Sequence, residues 1–253
     1  MSIRLFGCVC GQFHGPGEGL GMTPGARATV PVPFYVIEHP EGVALFDCGL
    51  PSAMLDREDS YLKVLRDQEM DVTLAPEETA VRHLERLEVD PVRVRYVIVS
   101  HLHFDHVGGL KELPNATIVV QTREWQAGFD REVANHYGLR KRYFDWGHDV
   151  LQVDGEHDLF GDGSVQLVAS FGHTPGHQSA RVRSTAGDHI LVGDACYHCE
   201  VVETRRFPEF SDHAVMNASL DRLLAMRDPD TVMVFGHDPA QWGDKPVLPS
   251  LRS

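Results

Sequence analysis

Four potential metal ligands fall within six residues of this chain, in His101-Leu102-His103-Phe104-Asp105-His106. They directly follow the apolar run Tyr96-Val97-Ile98-Val99-Ser100. That run reads as a buried strand, so the cluster sits in the loop at its C-terminal end. Imidazole and carboxylate together suit zinc or another divalent first-row metal. A His-rich solvated turn is the plain alternative, and chance places this pattern in roughly one chain of this length in several hundred.

Three later segments repeat the same grammar of a strand with a ligand at its end. Val165 to Ser170 alternates like a strand and leads to His173, within Gly172-His173-Thr174-Pro175-Gly176-His177. Ile190-Leu191-Val192-Gly193 leads to Asp194, and Thr231 to Phe235 leads to His237 within Gly236-His237-Asp238. Glycine precedes the ligand each time, which suits a sharp turn close to a site. Scattered surface histidines do not produce four such strand ends; a metal site does.

Count and spacing favour two ions. His101 and His103 point the same way in an extended segment, while Asp105 and His106 lie beyond a turn and serve a neighbouring position. A single tetrahedral zinc takes four ligands at most, or three plus water when catalytic. Seven candidates are present: His101, His103, Asp105, His106, His173, Asp194 and His237. Two ions about 3.5–4 Å apart, bridged by a carboxylate and a hydroxide, accommodate them all.

HxHxDH followed by GH, GD and GH resembles the ligand series of the metallo-β-lactamase superfamily. Within it, the closer likeness is to the N-acyl-homoserine lactone lactonases. Ser100 to Gly109, Thr174-Pro175-Gly176-His177-Gln178-Ser179 and Phe235-Gly236-His237-Asp238 carry that likeness, as does Tyr197, three residues after Asp194. Leu45-Phe46-Asp47-Cys48-Gly49 is similar to the family's early DTG-type element, with cysteine where threonine is usual. The likeness spans roughly Phe34 to His237.

The resemblance implies an α/β fold, an αβ/βα sandwich of two mixed β-sheets flanked by helices. It implies that His101, His103 and His173 bind one metal, that Asp105, His106 and His237 bind a second, and that Asp194 bridges them. It places Asp47 behind the ligands, orienting a histidine by hydrogen bond. The two ions would be Zn(II), with iron, manganese or cobalt as alternatives. The implied chemistry is attack on a lactone carbonyl by a metal-bridging hydroxide, with Tyr197 as an oxyanion donor and Asp105 as the proton shuttle. Simple packing is the competing role for Tyr197. Phe104 either lines the substrate pocket or packs beneath the metal loop. His177, four residues beyond His173, cannot pair with it on a helix through Thr174-Pro175-Gly176, so a structural role is expected.

Composition fits a cytoplasmic enzyme. Ligands drawn from residue 101 to residue 237 tie both halves of the 253 residues to one site and favour one domain. The net charge of −14 argues against nucleic acid and anionic membrane partners, and weakens a nuclease reading. No apolar run suits a transmembrane helix, and the N-terminus lacks the hydrophobic region of a signal peptide. Five cysteines do not form a disulfide framework; ordinary reduced thiols are expected, with Cys196 near the metals a candidate for reaction with thiol reagents.

Secondary structure reads as strand-rich, then alternating. Phe34–Glu38 and Val43–Asp47 flank a Pro40-Glu41-Gly42 turn and read as a hairpin. Helices are expected over residues 76–88, from about Arg123, and over Val215–Met226, with a strand at Ile118–Gln121. The glycine-rich stretch 11–25 lacks the features of a phosphate loop and is expected to be a loop over the pocket. The aromatic stretch 130–146 is an acyl-chain wall, a lid or a homodimer contact.

Rival functions share the metal core. A glyoxalase II-like thioesterase would favour basic residues for its substrates, and Tyr197 points elsewhere. Hydrolysis of another lactone would leave ligands and mechanism unchanged. A β-lactamase fits poorly with the full set that includes Asp105 and Asp194. A non-catalytic metal-binding sensor would bind metal without turnover. A di-iron electron carrier would ordinarily need an appended flavin domain, which the 16 residues after His237 leave no room for.

Overall fold

In the computed structural model, residues 3–20, 22 and 25–242 are described. Seven strands form the first sheet: β1 (Arg4–Pro16), β2 (Arg27–His39), β3 (Gly42–Phe46), β4 (Asp71–Thr73), β5 (Val94–Ile98), β6 (Thr117–Gln121) and β7 (Val150–Val153), in the order β4-β1-β2-β3-β5-β6-β7. Five form the second: β8 (His157–Asp158), β9 (Val165–Ala169), β10 (Gln178–Ser184), β11 (Gly187–Gly193) and β12 (Val232–Phe235), in the order β12-β11-β10-β9-β8. Both sheets are mixed. The chain pairs β1, β2 and β3 antiparallel, then β3, β5, β6 and β7 parallel; in the second sheet β11 and β12 are parallel and the remaining pairs antiparallel.

Period-two alternation explains how the sheets stack. In β2, Tyr35 and Ile37 face the second sheet, where they meet Leu167, Val182, Leu191 and Val234, while Val32, Phe34 and Val36 face the opposite side. The outer face of the first sheet is covered by α1 (Ser60–Asp67) and α2 (Ala80–Arg86) through Leu62, Leu65 and Leu84. A one-turn α3 (Phe104–Val107), then α4 (Thr122–Phe129) and α5 (Arg131–Tyr137), complete that layer. Beyond the short α6 (Val201–Thr204), helix α7 (His213–Ala225) covers the second sheet with Met216, Leu220 and Leu223. Helix, sheet, sheet, helix is the expected αβ/βα sandwich. None of the described helices is long and apolar enough to cross a membrane.

The predicted hairpin is present, with His39 opposite Gly42. Residues 76–88 are helical in two pieces, a 3-10 turn at Pro76–Glu78 and then α2, because Thr79 is extended between them. The glycine-rich stretch departs further from expectation. Residues 11–16 continue β1, paired with β2 and β4; the chain turns at Gly17, Gly19 and Leu20 do line a cavity, and residues 21, 23 and 24 of the stretch lie outside the described residues. Gly11 sits at a register shift with φ +78, where a Cβ would lie 2.3 Å from the carbonyl oxygen of Thr73. Its glycine makes a bulge rather than a loop.

Strand direction places the site. β3 and β5 run parallel, as do β9 and β11 across the antiparallel β10, and β11 and β12. Asp47, His101, His173, Asp194 and His237 follow the C-terminal ends of these strands and gather at one edge of the sandwich.

Candidate metal centre

The site is built from strand ends with little freedom. β5 ends at Ile98, and Ser100 leads into His101 and His103 in extended backbone; α3 then turns Asp105 and His106 inward. At the end of β11, Gly193 takes φ +59 and sets Asp194 at the centre; a Cβ there would lie 2.8 Å from His177 Nε2. The structure brings all seven predicted ligands together. His101, His103, His173 and Asp194 each offer an atom within a 4.8 Å group, and Asp105, His106 and His237 form a second.

Asp194 stands between the groups. Its Oδ2 lies 3.3 Å from His173 Nε2 and 3.7 Å from His101 Nε2. Its Oδ1 lies 3.2 Å from His237 Nε2 and 3.5 Å from His106 Nε2. Asp105 Oδ2 is 3.6 Å from His106 Nε2 and 3.9 Å from His237 Nε2.

The outer hydrogen bonds fix which imidazole nitrogens face inward without a proton. His103 Nε2 donates to the Tyr137 carbonyl at 2.6 Å, and His237 Nδ1 to the Pro31 carbonyl at 2.8 Å. His106 Nδ1 donates to Asp47 Oδ2 at 2.8 Å. Ser100 Oγ also donates to that oxygen, at 2.8 Å, which leaves it to accept from His101 Nδ1 at 2.9 Å. In these neutral tautomers, His101 Nε2 and His103 Nδ1 face each other as bare acceptors 2.8 Å apart, with His173 Nε2 3.2 Å from the latter. Buried His106 Nε2 and Asp194 Oδ1 have no hydrogen-bond partner. The inward lone pairs of these four imidazoles converge with His173, whose Nδ1 has no partner, and with two carboxylates; such a donor set suits cations, and deprotonated inner nitrogens are what a metal needs. The residues fit two divalent ions.

Electrostatics separate the two groups. Burial and neighbouring imidazoles hold His101 below the usual histidine range, and burial does the same for His103 and His173 despite nearby carboxylate charge. Burial also works against charge on His106 and His237, but the Asp194 carboxylate, joined by Asp105, pushes both upward. Burial opposes ionisation of Asp194, yet His106 and His237 hold it well below the usual carboxylate range.

Asp47, with φ +59, accepts from the Ser100 amide at 2.7 Å as well as from Ser100 Oγ and His106. One carboxylate thus holds His106 directly and His101 through a hydroxyl. His177 faces away from both ligand groups: its Nδ1 donates to the Ser170 carbonyl at 3.0 Å and its Nε2 accepts the Asp194 amide at 2.9 Å. Burial pushes it down to about 4, so it stays neutral and fixes the backbone of Asp194.

A cavity of about 320 Å³ opens over the two groups. Tyr197 lines it, its ring 5.6 Å from that of His173 and 5.4 Å from that of His237. Phe104 lines it too and also packs on Tyr61 at 5.1 Å and Phe13 at 6.0 Å. From the stretch 130–146, residues 135–138 and 140 line the cavity, while Tyr143 and Phe144 are buried in the core.

Two supports are invisible in sequence. Glu124, wholly buried on α4, accepts the Leu102 amide at 3.0 Å and the Gly176 amide at 2.8 Å, tying the loops of His103 and His173 together. The carbonyls of Tyr137 and Pro31 act through backbone that any residue supplies. Ser100 had a signal, a hydroxyl adjoining the first ligand. Cys196 is fully buried within the layer under α7 and burial raises its thiol, so it does not meet the expectation of a reactive cysteine; Cys199 is the exposed one.

Comparison with known proteins agrees with this geometry. The sequence model of the metallo-beta-lactamase superfamily matches residues 28–237. The chain is 34% identical over 259 residues to the N-acyl homoserine lactonase AttM of Azorhizobium caulinodans, covering 95% of each. It is 29% identical over 231 residues to the N-acyl homoserine lactonase AiiA of Bacillus thuringiensis subsp. kurstaki, covering 90% of this chain and 89% of the relative. Among solved structures, an N-acyl homoserine lactone hydrolase with the product N-hexanoyl-L-homoserine bound at its catalytic metal center superposes with a TM-score of 0.81 at 27% identity, covering 95% of this chain and 96% of the other. The chain belongs to the metallo-β-lactamase superfamily and, within it, to the family of the N-acyl homoserine lactonases.

Proposed function

We propose that this chain hydrolyses the lactone ring of N-acyl homoserine lactones with two divalent metal ions, zinc before iron, manganese or cobalt. His101, His103 and His173 would hold one ion, Asp105, His106 and His237 the other, with Asp194 shared. The observation that carries this reading is the division of Asp194, whose two oxygens each face a separate histidine group beneath one cavity. The relatives bearing the lactonase name supply the substrate class.

Divalent cations bound there supply Lewis acidity, activating water near neutral pH and polarising an ester carbonyl. The protein's own groups do the rest. Asp105 takes one proton of the attacking water and returns it to the ring oxygen as the acyl–oxygen bond breaks, leaving an alcohol and a carboxylic acid that releases the other proton to solvent. Tyr197 donates its hydroxyl to the carbonyl oxygen as charge develops there. Burial, followed by the Asp194 and Asp105 charges, pushes that phenol well above its ordinary range. Asp47 acts as a positioning residue behind His106 and His101. Phe104 and the wall formed by residues 135–138 and Arg140 receive the acyl arm.

One domain carrying the whole site, working in a reducing compartment such as the cytoplasm, accords with ligands on both sheets and five unpaired cysteines. The test is hydrolysis by metal-loaded protein of short- and long-chain N-acyl homoserine lactones, a simple γ-lactone and a glutathione thioester, followed by proton release. Turnover of the acyl homoserine lactones, lost in Asp194→Ala of checked metal content, supports the proposal. Turnover of the thioester alone points to the glyoxalase-like reaction, and metal binding with no turnover points to a sensor.

A further inference from the structure

The cavity above the site has two characters. Its floor is buried and apolar, formed by Phe13, Leu20, Val30, Leu65 and Phe104. Its rim is more open and polar, with Gln68, Asn135, His136 and Arg140. Arg140 is the one lysine or arginine among the described lining residues.

The backbone sets Arg140 in that position. Helix α5 ends at Gly138 in the left-handed region, φ +74, Leu139 turns into the core, and Arg140 follows in extended conformation. Its guanidinium lies 5.7 Å from the centroid of the Tyr61 ring, which itself packs edge-on against Phe104. Two arginines flank this ring, and they differ. Arg142, 5.5 Å from the same centroid, is paired with Asp59 at 3.4 Å and donates to Ser60 Oγ at 3.0 Å. Arg140 makes no ion pair with any described aspartate or glutamate; its polar contact is Tyr61.

An aromatic plane steadies a guanidinium without neutralising it, and leaves its donor fork free for a planar acceptor. A carboxylate matches that fork in two parallel hydrogen bonds. Asp194, Tyr197, the apolar floor and Arg140 line one cavity, so the floor offers an acyl arm a path from a lactone ring over Asp194 to the rim. We infer that Arg140 is a specificity-determining residue of this site, selecting lactones whose acyl arm ends in a carboxylate. The inference rests on the lactonase reading and narrows its substrate class.

The test compares kcat/KM of the metal-loaded full chain on homoserine lactones acylated with succinyl, adipoyl or suberoyl arms against neutral acyl arms of equal carbon count. γ-Butyrolactone serves as an arm-free control. Wild type should prefer the carboxylated arm at one or more lengths by about tenfold, the size of a charged hydrogen bond at a half-open position. Arg140→Met should abolish that preference mainly through KM, and Arg140→Glu should invert it. Equal or better hydrolysis of the neutral arm by wild type overturns the inference. So does a ratio unchanged in both variants, or an equal fall on both arms, which marks a structural role. Failure on every lactone, γ-butyrolactone included, defeats the lactonase reading itself and the inference with it.

Discussion

The two oxygens of Asp194 meet different histidines, His101 and His173 at Oδ2 and His106 and His237 at Oδ1. Around that residue the single side chains sort by what they face. Tyr197 lines the cavity beside His173 and His237, and the proposed reaction gives it the part of oxyanion donor. Tyr197→Phe should therefore lower kcat by about a hundredfold with bound metal unchanged, measured by steady-state kinetics alongside metal analysis. A loss confined to KM would leave the ring as a packing element. Asp47 holds two ligand histidines at once, one directly and one through Ser100. Asp47→Ala should weaken metal binding by about tenfold to a hundredfold in competition with a chelator, whereas unchanged affinity would remove its positioning role. At this scale the sequence was most legible, because HxHxDH and the three Gly-ligand pairs are written in residue types that little else demands. Glu124 was not legible. A glutamate in a polar helix gives no sign that its carboxylate is wholly buried, and only the fold shows it accepting amides from two loops.

At the scale of elements, the long β1–β2 hairpin is the frame on which the site hangs. It carries Pro31, whose carbonyl holds His237, and its outer face receives α2. His83 on α2 donates to the Val9 carbonyl of β1 at 2.8 Å and meets the Phe34 ring edge-on at 5.6 Å. Burial lowers its pKa below the usual histidine value. The folded state thus takes up this proton only at lower pH than the unfolded chain does. The stability that neutral His83 preserves is fully present above the unfolded value and is lost as pH falls below it. His83→Gln should flatten the fall of the urea midpoint between about pH 6.5 and pH 5, a contribution of at most about 1.4 kcal/mol per pH unit. An identical pH profile in the variant would contradict this. Element boundaries were legible where local signals were strong, as in the hairpin at Pro40-Glu41-Gly42. They failed in residues 11–16, where glycines that read as loop are taken into a strand by pairing with β2 and β4, partners distant in sequence.

The whole molecule is a device for bringing five strand ends to one edge. Each of β3, β5, β9, β11 and β12 delivers Asp47, a ligand or the run to one, and parallel or twice-antiparallel pairing makes them end together. Periodicity could find those strands but not their order, since the order β4-β1-β2-β3-β5-β6-β7 is decided by contacts between segments far apart in the chain. The sandwich itself was reached through family likeness, which carries such long-range information. Two metals and this edge together should open a lactone. The decisive measurement titrates metal-free protein with zinc while following N-hexanoyl homoserine lactone hydrolysis and bound metal in the same samples. Ring opening should reach its maximum at two zinc ions per chain and be absent in Asp194→Ala. Full activity with one ion or none, or two bound ions with no ring opening, would contradict it.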